Sequence, residues 1–363
     1  MTKIAKTQHD AVGGRRWPRP WLRALLRIGG SALALVLLFR FLPAAEVWRT
    51  LRLLPWQLWL LVIAGYLAAH VVAINKWRLM VNVAGAGLTF RQSVLCYFSG
   101  LFSTLLLPSI VGGDLVRATV AFRTGQSKAA VIMGGLIDRM IDFAALALLA
   151  ALGAALVPVA LPAETRRVFV IAGIVLAVLA ALMTPLVVWF PARKLRFKFR
   201  RHIAKLRRAA RSMRRKPQYV VAALCLGLIV QGSFIWLTAR VAAESGLHLA
   251  FRAWLFAWPL AKFSAVVPIT QGGIGVREAA LVVLLVPFGA RPVKTAAVGL
   301  AWEAVIITGG VIAGLTAFFL GRSSASGQKL EASDNLSLPQ RHRASTSRRF
   351  SSKKSAPGTG LKR

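Results

Sequence analysis

Two segments of the chain carry the same arrangement of proline, glycine and arginine, which is suited to binding a phosphate group. Glycines let the backbone approach a ligand closely, free amides at a helix start attract anions, and arginine donates two parallel hydrogen bonds to phosphate. The copies are Pro108-x-x-x-Gly112-Gly113-x-x-x-Arg117 and Pro268-x-x-x-Gly272-Gly273-x-x-x-Arg277, and each has an adjacent acid, Asp114 or Glu278. We predict that each copy binds a phosphate group or a substrate. The alternative is that the glycines only permit a tight turn and the arginines only anchor the chain at a membrane surface.

Four further ionisable residues lie within apolar sequence: Asp138, Arg139, Asp142 and Glu303. A charge at membrane depth costs about 2.5–3.5 kcal/mol, so these residues are functional candidates. Asp138 and Asp142 are four residues apart, which places both on one face of a helix. We predict that these four residues form an intramembrane charge network. Three acids have a basic neighbour available: Asp114 has Arg117, Asp138 has Arg139, and Glu278 has Arg277. Two alternatives remain open: ion pairs that only hold helices together, or acid–base catalysis by two carboxylates.

Patterns that would indicate a metal, a cofactor or a known catalytic site are missing from the sequence. The two cysteines, Cys96 and Cys225, lie in apolar stretches, and the five histidines are scattered without metal-binding spacing. Gly273-x-Gly275 lacks the third glycine and the strand context of a dinucleotide fingerprint. We therefore predict no metal and no cofactor, and we favour a protein that is not an enzyme.

The composition is that of a polytopic membrane protein. The 363 residues are 56% hydrophobic, and apolar runs approach the length that crosses about 30 Å of hydrocarbon. The 48 Lys and Arg against 11 Asp and Glu give a net charge of +37. These basic residues flank the apolar runs, where cytoplasmic retention and anionic lipid headgroups explain them, so nucleic acid is excluded as a partner. The predicted partners are membrane lipids, in particular anionic phospholipid or a lipid-linked intermediate.

Six full spans are predicted from the apolar runs, near residues 24–42, 56–75, 138–158, 167–190, 218–240 and 295–320. Basic segments flank this transmembrane domain, which covers residues 24–320: an N-terminal segment 1–23, a loop 191–217 and a tail 321–363 without regular structure. Since basic loops stay in the cytoplasm, both termini and the basic loop are assigned there. The predicted location is the bacterial inner membrane.

Two apolar pieces remain, residues 92–137 and 250–291, and each contains one copy of the glycine and arginine motif. With the basic loops fixed in the cytoplasm, the first piece must leave and return to the cytoplasmic side, and the second to the outer side. Each is a re-entrant element or a pair of crossings. Two similar elements entering from opposite faces indicate an inverted repeat, with halves near 56–190 and 218–320. The predicted fold class is therefore all-α, with about six spans and two broken elements.

The chain resembles the flippase-like membrane domain of lysylphosphatidylglycerol synthases, which also occurs alone in hopanoid-associated and glycosylation-associated membrane proteins. The resemblance covers roughly residues 25–320. It is carried by Asn75-Lys76-Trp77-Arg78, Leu107-Pro108 with Gly112-Gly113-Asp114-x-x-Arg117-Ala118, Asp138-Arg139-x-x-Asp142, and Pro268-x-x-x-Gly272-Gly273-x-Gly275-x-Arg277-Glu278-Ala279.

The resemblance implies that the protein moves a phospholipid or a polyprenyl-linked lipid between leaflets. It carries the patterned positions of the family onto Asp114, Arg117, Asp138, Arg139, Arg277 and Glu278. The synthases append a soluble aminoacyl-transfer domain, and residues 321–363 are too short to form one, so lysyl transfer is not expected. Two other functions stay open: an integral membrane transferase or its subunit that modifies a lipid, and a non-catalytic partner of lipid-synthesis enzymes.

Overall fold

The computed structural model describes residues 44–52, 54–107, 110–156, 211, 215–264 and 274–337. Within these ranges the chain is helical and contains no strand, which confirms the all-α prediction. The helices are α1 (Ala44–Arg52), α2 (Trp56–Val83), α3 (Phe90–Leu106), α4 (Ile110–Arg123), α5 (Lys128–Leu156), α6 (Pro217–Glu244), α7 (Phe251–Ser264), α8 (Val276–Leu285) and α9 (Pro292–Ser337), with a short 3₁₀ helix (Val286–Phe288) after α8.

Among the described residues, four helices are long and apolar enough to cross a membrane: α2, α5, α6 and the first part of α9, Pro292–Arg322. They correspond to the predicted spans near 56–75, 138–158, 218–240 and 295–320. Leucine, valine and isoleucine side chains cover their outer faces, as expected for helices that contact lipid tails. The predicted spans 24–42 and 167–190 lie outside the described residues, as do most of the basic loop and all of the N-terminal segment.

The observed long helices extend beyond the predicted spans wherever a charged residue marked the predicted end. Helix α2 continues past Lys76 to Val83, and helix α5 begins at Lys128, well before Asp138. Lys76 and Asp138 are both buried inside the bundle. Helix α9 likewise continues past residue 321 to Ser337, because no proline interrupts it before Pro339, whereas residues 338–363 lie outside the described part.

Each broken element forms two short helices that pack on each other. The first hairpin is α3 with α4, and the second is α7 with α8. Their lengths, from 10 to 17 residues, are below the roughly 20 needed to cross a bilayer. Thr89 starts α3 with a capping box, in which its hydroxyl accepts from the Gln92 amide and the Gln92 side chain accepts from the Thr89 amide. These lengths favour re-entrant hairpins over paired crossings.

The described chain repeats one order of elements: a long helix, a short-helix hairpin and another long helix. Helices α2 and α6 each contain 28 residues and each begin one copy of this order. Each ends in a turn with a glycine at positive φ, Gly85 at 101° and Gly246 at 70°, where a side chain would be strained. The next helix then begins with Phe90-Arg91 in one copy and Phe251-Arg252 in the other. These matches indicate a duplication.

Helices α2 and α6 pack against each other in opposite directions. An ideal Cβ on Gly65, early in α2, would lie 2.8 Å from the side chain of Leu237, late in α6. At the other end of the contact, Gly227 of α6 approaches the side chain of Lys76, late in α2. The hairpins that follow these two helices therefore start at opposite ends of the bundle, which is the geometry of an inverted repeat.

Candidate intramembrane charge site

Lys76 joins helix α2 to helix α5 through two buried carboxylates. Its Nζ lies 2.8 Å from Oδ1 of Asp138 and 2.7 Å from Oδ1 of Asp142. The Lys76 and Asp138 side chains are 1% and 3% exposed. The two acids reach the same lysine because residues four apart share one face of a helix, as the sequence predicted. This arrangement supplies the opposite charges that a buried lysine needs.

Arg139 connects α5 to the first hairpin through Asp114 of α4. It donates from Nε to Oδ2 of Asp114 at 2.6 Å and from Nη2 to Oδ1 of the same carboxylate. A second contact of 3.7 Å joins Nη1 of Arg139 to Oδ2 of Asp142. The Arg139 and Asp114 side chains are 33% and 31% exposed, so this edge of the site is accessible. Arg139 does not pair with its neighbour Asp138, whose carboxylate is held by Lys76 instead.

Arg117 of α4, the arginine of the first motif, is buried but loosely paired. Nη2 lies 3.7 Å from Oδ1 of Asp114, as predicted, and Nη1 lies 3.9 Å from Oδ2 of Asp138. Both distances exceed ordinary hydrogen bonds. The guanidinium lies 3.9 Å from the centre of the Tyr97 ring, so a cation–π contact adds to its stabilisation. Its Nε has no hydrogen-bond partner among the described residues.

Three glycines bring the helices of this site close together. An ideal Cβ on Gly134 of α5 would lie 2.5 Å from the Cα of Val81, so α5 touches the backbone of α2 near Lys76. In the first hairpin, a Cβ on either Gly100 or Gly113 would lie 2.8 Å from the carbonyl oxygen of the other. The second glycine of the motif therefore allows α3 and α4 to pack closely beneath Arg117.

Gly112 is the remaining motif glycine within the described residues. Gly112 lies in the first turn of α4, where backbone amides have no acceptor within the helix. Pro108, Pro268, Gly272 and Gly273 lie outside the described residues.

Arg277 of α8, the arginine of the second motif, is paired with two acids. Its Nη2 donates to Oε1 of Glu278 at 2.8 Å, as predicted, and also to Oε2 of Glu303 on α9. Glu278 is fully buried, and its Oε2 accepts from the backbone amide of Gly275 at 2.6 Å, at the start of α8. An ideal Cβ on Gly299 would lie 2.8 Å from the Glu278 side chain, so this glycine makes room for the carboxylate.

The two motif arginines occupy related positions in the two halves. Arg117 faces Asp138 on the long helix that follows its hairpin, and Arg277 faces Glu303 on the equivalent helix. Each guanidinium also lies near an aromatic ring on the first helix of its hairpin, Tyr97 in one half and Trp258 in the other. A duplicated motif with matching partners is stronger support for the repeat than the spacing alone.

A further polar group lies where α2 and α6 cross. His70 of α2 and Gln231 of α6 occupy corresponding positions in these equally long helices. Lys262 of α7 donates from Nζ to Oε1 of Gln231 at 2.8 Å, and Nδ1 of His70 lies 3.4 Å from the Tyr97 hydroxyl. Sequence analysis did not select Lys262, His70 or Tyr97, because each stands alone in apolar sequence without a motif.

The charges of the site balance in each half of the described chain. The first group is neutral, with three cations and three acids: Lys76, Arg117, Arg139, Asp114, Asp138 and Asp142. The second is also neutral, with two cations and two acids: Lys262, Arg277, Glu278 and Glu303. Buried donors without an acceptor among the described residues are Nε of Arg117, Nε of Arg277 and Nε1 of Trp258. Cations with spare donors inside a membrane bundle suit a ligand with several anionic oxygens.

Comparison with known proteins identifies one family. Residues 24–314 match the family described as "Lysylphosphatidylglycerol synthase TM region". The match covers most of the chain, including both hairpins and every charged residue of the site. No curated protein matches the chain.

Proposed function

The chain belongs to the lysylphosphatidylglycerol synthase TM-region family, and from that premise we propose that it moves a phospholipid or a polyprenyl-linked lipid between membrane leaflets. Membership indicates a membrane protein related to lipid modification or transport. The finer assignment, lipid transport between leaflets, is supported by the charged interior of the bundle, and the bacterial inner membrane is the location that we propose for it. A lipid headgroup needs polar partners to cross hydrocarbon, and the described helices place such partners between them.

The observation that carries the proposal is the duplication of the arginine site in antiparallel halves. Arg117 and Arg277 belong to hairpins that start at opposite ends of the bundle, and each faces an acid on the following long helix. A transporter that exposes its site to each side in turn needs two such elements. Proteins with inverted repeats achieve this by rocking one repeat against the other.

Exchange of partners provides a route for the headgroup. Arg117 lies 3.7 and 3.9 Å from its two carboxylates, too far for strong hydrogen bonds. Its Nε has no acceptor among the described residues and so has a hydrogen bond to offer a phosphate oxygen. Arg277 is held more tightly, with a 2.8 Å hydrogen bond to Glu278 and a second bond to Glu303. The acids hold each arginine in place, and a lipid phosphate replaces them when it arrives.

The test is lipid translocation by purified protein in liposomes. Headgroup-labelled phosphatidylglycerol is added to both leaflets, and an impermeant reductant reports how fast inner-leaflet label reaches the outside. We expect Arg117→Gln and Arg277→Gln each to slow translocation by about tenfold or more, as for loss of a charge-assisted hydrogen bond to the moving group. Arg240→Gln, which alters an exposed ion pair on α6, is the matched control and should transport normally.

Unchanged transport in the double variant Arg117→Gln/Arg277→Gln would remove both arginines from the mechanism. If wild-type protein moves no labelled lipid of any headgroup tested, the transport proposal is wrong. Mass analysis of the recovered lipid separates transport from transfer chemistry, because a transferase adds mass to the lipid when a donor is supplied.

A further inference from the structure

Lys262 differs from the other cations inside the bundle because it has no carboxylate partner among the described residues. The other four each form an ion pair: Lys76, Arg117, Arg139 and Arg277. Lys262 instead donates 2.8 Å to the neutral amide of Gln231 and lies 5.1 Å from the centre of the Phe234 ring. An ammonium group has three donors, so these two contacts leave much of its charge uncompensated.

Asp142 is the carboxylate that acts electrostatically on Lys262, and the cations Arg139, Arg277 and Lys76 act in the opposite sense. Asp142 is itself engaged, because Lys76 donates to it at 2.7 Å. That carboxylate is therefore shared with Lys76, and Lys262 keeps donors for a further anion.

A buried donor without an acceptor lies on the same face of α7. Trp258 precedes Lys262 by four residues, so the two side chains share one side of the helix. Trp258 is 1% exposed, and its indole Nε1 has no hydrogen-bond partner among the described residues. A buried N–H without an acceptor is costly. A group with several anionic oxygens would accept from the indole and the ammonium together.

Lys262 also lies at the junction of the two halves. Its Phe234 ring contacts His70 with ring centres 5.4 Å apart, and His70 contacts Tyr97 at 5.8 Å. The guanidinium of Arg117 in turn lies 3.9 Å from the centre of the Tyr97 ring. Aromatic side chains from α2, α3 and α6 thus connect a cation of the first hairpin to a cation of the second.

We propose that Lys262, held by Gln231 and assisted by the indole N–H of Trp258, binds the phosphate of the transported lipid between the two halves. This assignment rests on the proposed transport function and adds to it a central site that the duplicated motif does not contain. The ligand chemistry is a phosphate with at least two accessible oxygens. The phosphate reaches this site from Arg117 in the first hairpin or from Arg277 in the second.

Binding of a soluble phospholipid tests the site directly. Full-length protein in detergent is titrated with phosphatidylglycerol carrying six-carbon chains, and tryptophan fluorescence reports binding. Lys262→Gln should raise the dissociation constant by about tenfold or more, as for loss of one charge-assisted hydrogen bond, and Lys262→Arg should restore most of the affinity. The matched control is Lys128→Gln: Lys128 also lies over a phenylalanine ring, 5.8 Å from that of Phe122, but it is exposed.

Two further titrants separate the possible sources of the phosphate. Binding of inorganic phosphate with equal affinity and equal dependence on Lys262 would contradict a lipid site and indicate a free-anion site. Equal binding of dihexanoylglycerol, which has no phosphate, would contradict phosphate recognition. Equal affinity of Lys262→Gln and wild type for the phospholipid overturns the proposal.

The outcomes for site and transport are distinguishable. If wild-type protein binds phosphatidylglycerol through Lys262 but moves none between leaflets, the binding site is confirmed and the transport function is contradicted. If Lys262→Gln binds phosphatidylglycerol normally while wild-type protein transports lipid, only the proposed binding site is contradicted.

Discussion

Removing the positive charge of Lys76 should destabilise the protein far more than removing an exposed cation. In Lys76→Met, the carboxylates of Asp138 and Asp142 lose a partner at 2.8 and 2.7 Å in a site almost closed to solvent. Breaking a buried ion pair by removing one partner costs about 3–5 kcal/mol. The matched control is Arg240→Met, because Arg240 and Glu244 form a 3.4 Å pair with side chains 46% and 42% exposed. Exposed pairs contribute about 0–1 kcal/mol.

A double variant tests whether the cost arises from unpaired charge. Lys76→Met/Asp138→Asn removes one charge of each sign and keeps the group of six neutral. We expect the double variant to be more stable than the sum of the single effects predicts, with a coupling of about 0.5–3 kcal/mol. The free energies come from reversible unfolding in mixed micelles with a rising fraction of dodecyl sulfate, followed by circular dichroism. Additive effects, or a cost for Lys76→Met no greater than for Arg240→Met, would refute the reasoning.

Two further predictions concern packing and orientation. Gly153→Ala should destabilise the protein by about 1–3 kcal/mol in the same unfolding assay, because the new Cβ would lie 2.3 Å from the backbone nitrogen of Phe256; Gly232→Ala, with nothing within 4 Å, should be neutral or stabilising. Ser127→Cys and Arg291→Cys, in a chain whose two native cysteines are serine, mark the turns before α5 and α9. An impermeant maleimide added to sealed, oriented vesicles should label only one of them, and labelling of both from one side would contradict the inverted repeat.

The sequence predicted the helices of the fold better than the contacts of the site. Apolar runs located all four long helices of the described chain, and the spacing of the two acids on α5 correctly placed both on one face. The predicted span 56–75 ended just before Lys76, because charged residues normally end an apolar span. Its burial depends on two acids that lie more than sixty residues further along the chain, and the sequence alone does not show that they meet it.

For the arginines, too, the sequence indicated ion-pair partners within one helix but not those on another helix. The acids next to the arginines in the sequence are also ion-pair partners in the structure: Asp114 for Arg117 and Glu278 for Arg277. The sequence offered Asp138 as a neighbour of Arg139, whereas the structure pairs Arg139 with Asp114 from another helix. Lys262 had no motif to mark it. Its importance appears only when the carboxylates around it are found to be engaged elsewhere.

The two halves share one order of helices but place their buried lysines differently. Leu237 occupies the position in α6 that Lys76 occupies in α2, so one half has a lysine linking its long helices and the other has a leucine. In the proposed transport cycle, two conformations that exchange the roles of the halves therefore differ in free energy, and the population at rest favours one of them. The transported lipid must then supply differential binding energy to reach the other conformation. Such a transporter has a preferred resting side, although without an energy source its overall barrier is the same in both directions.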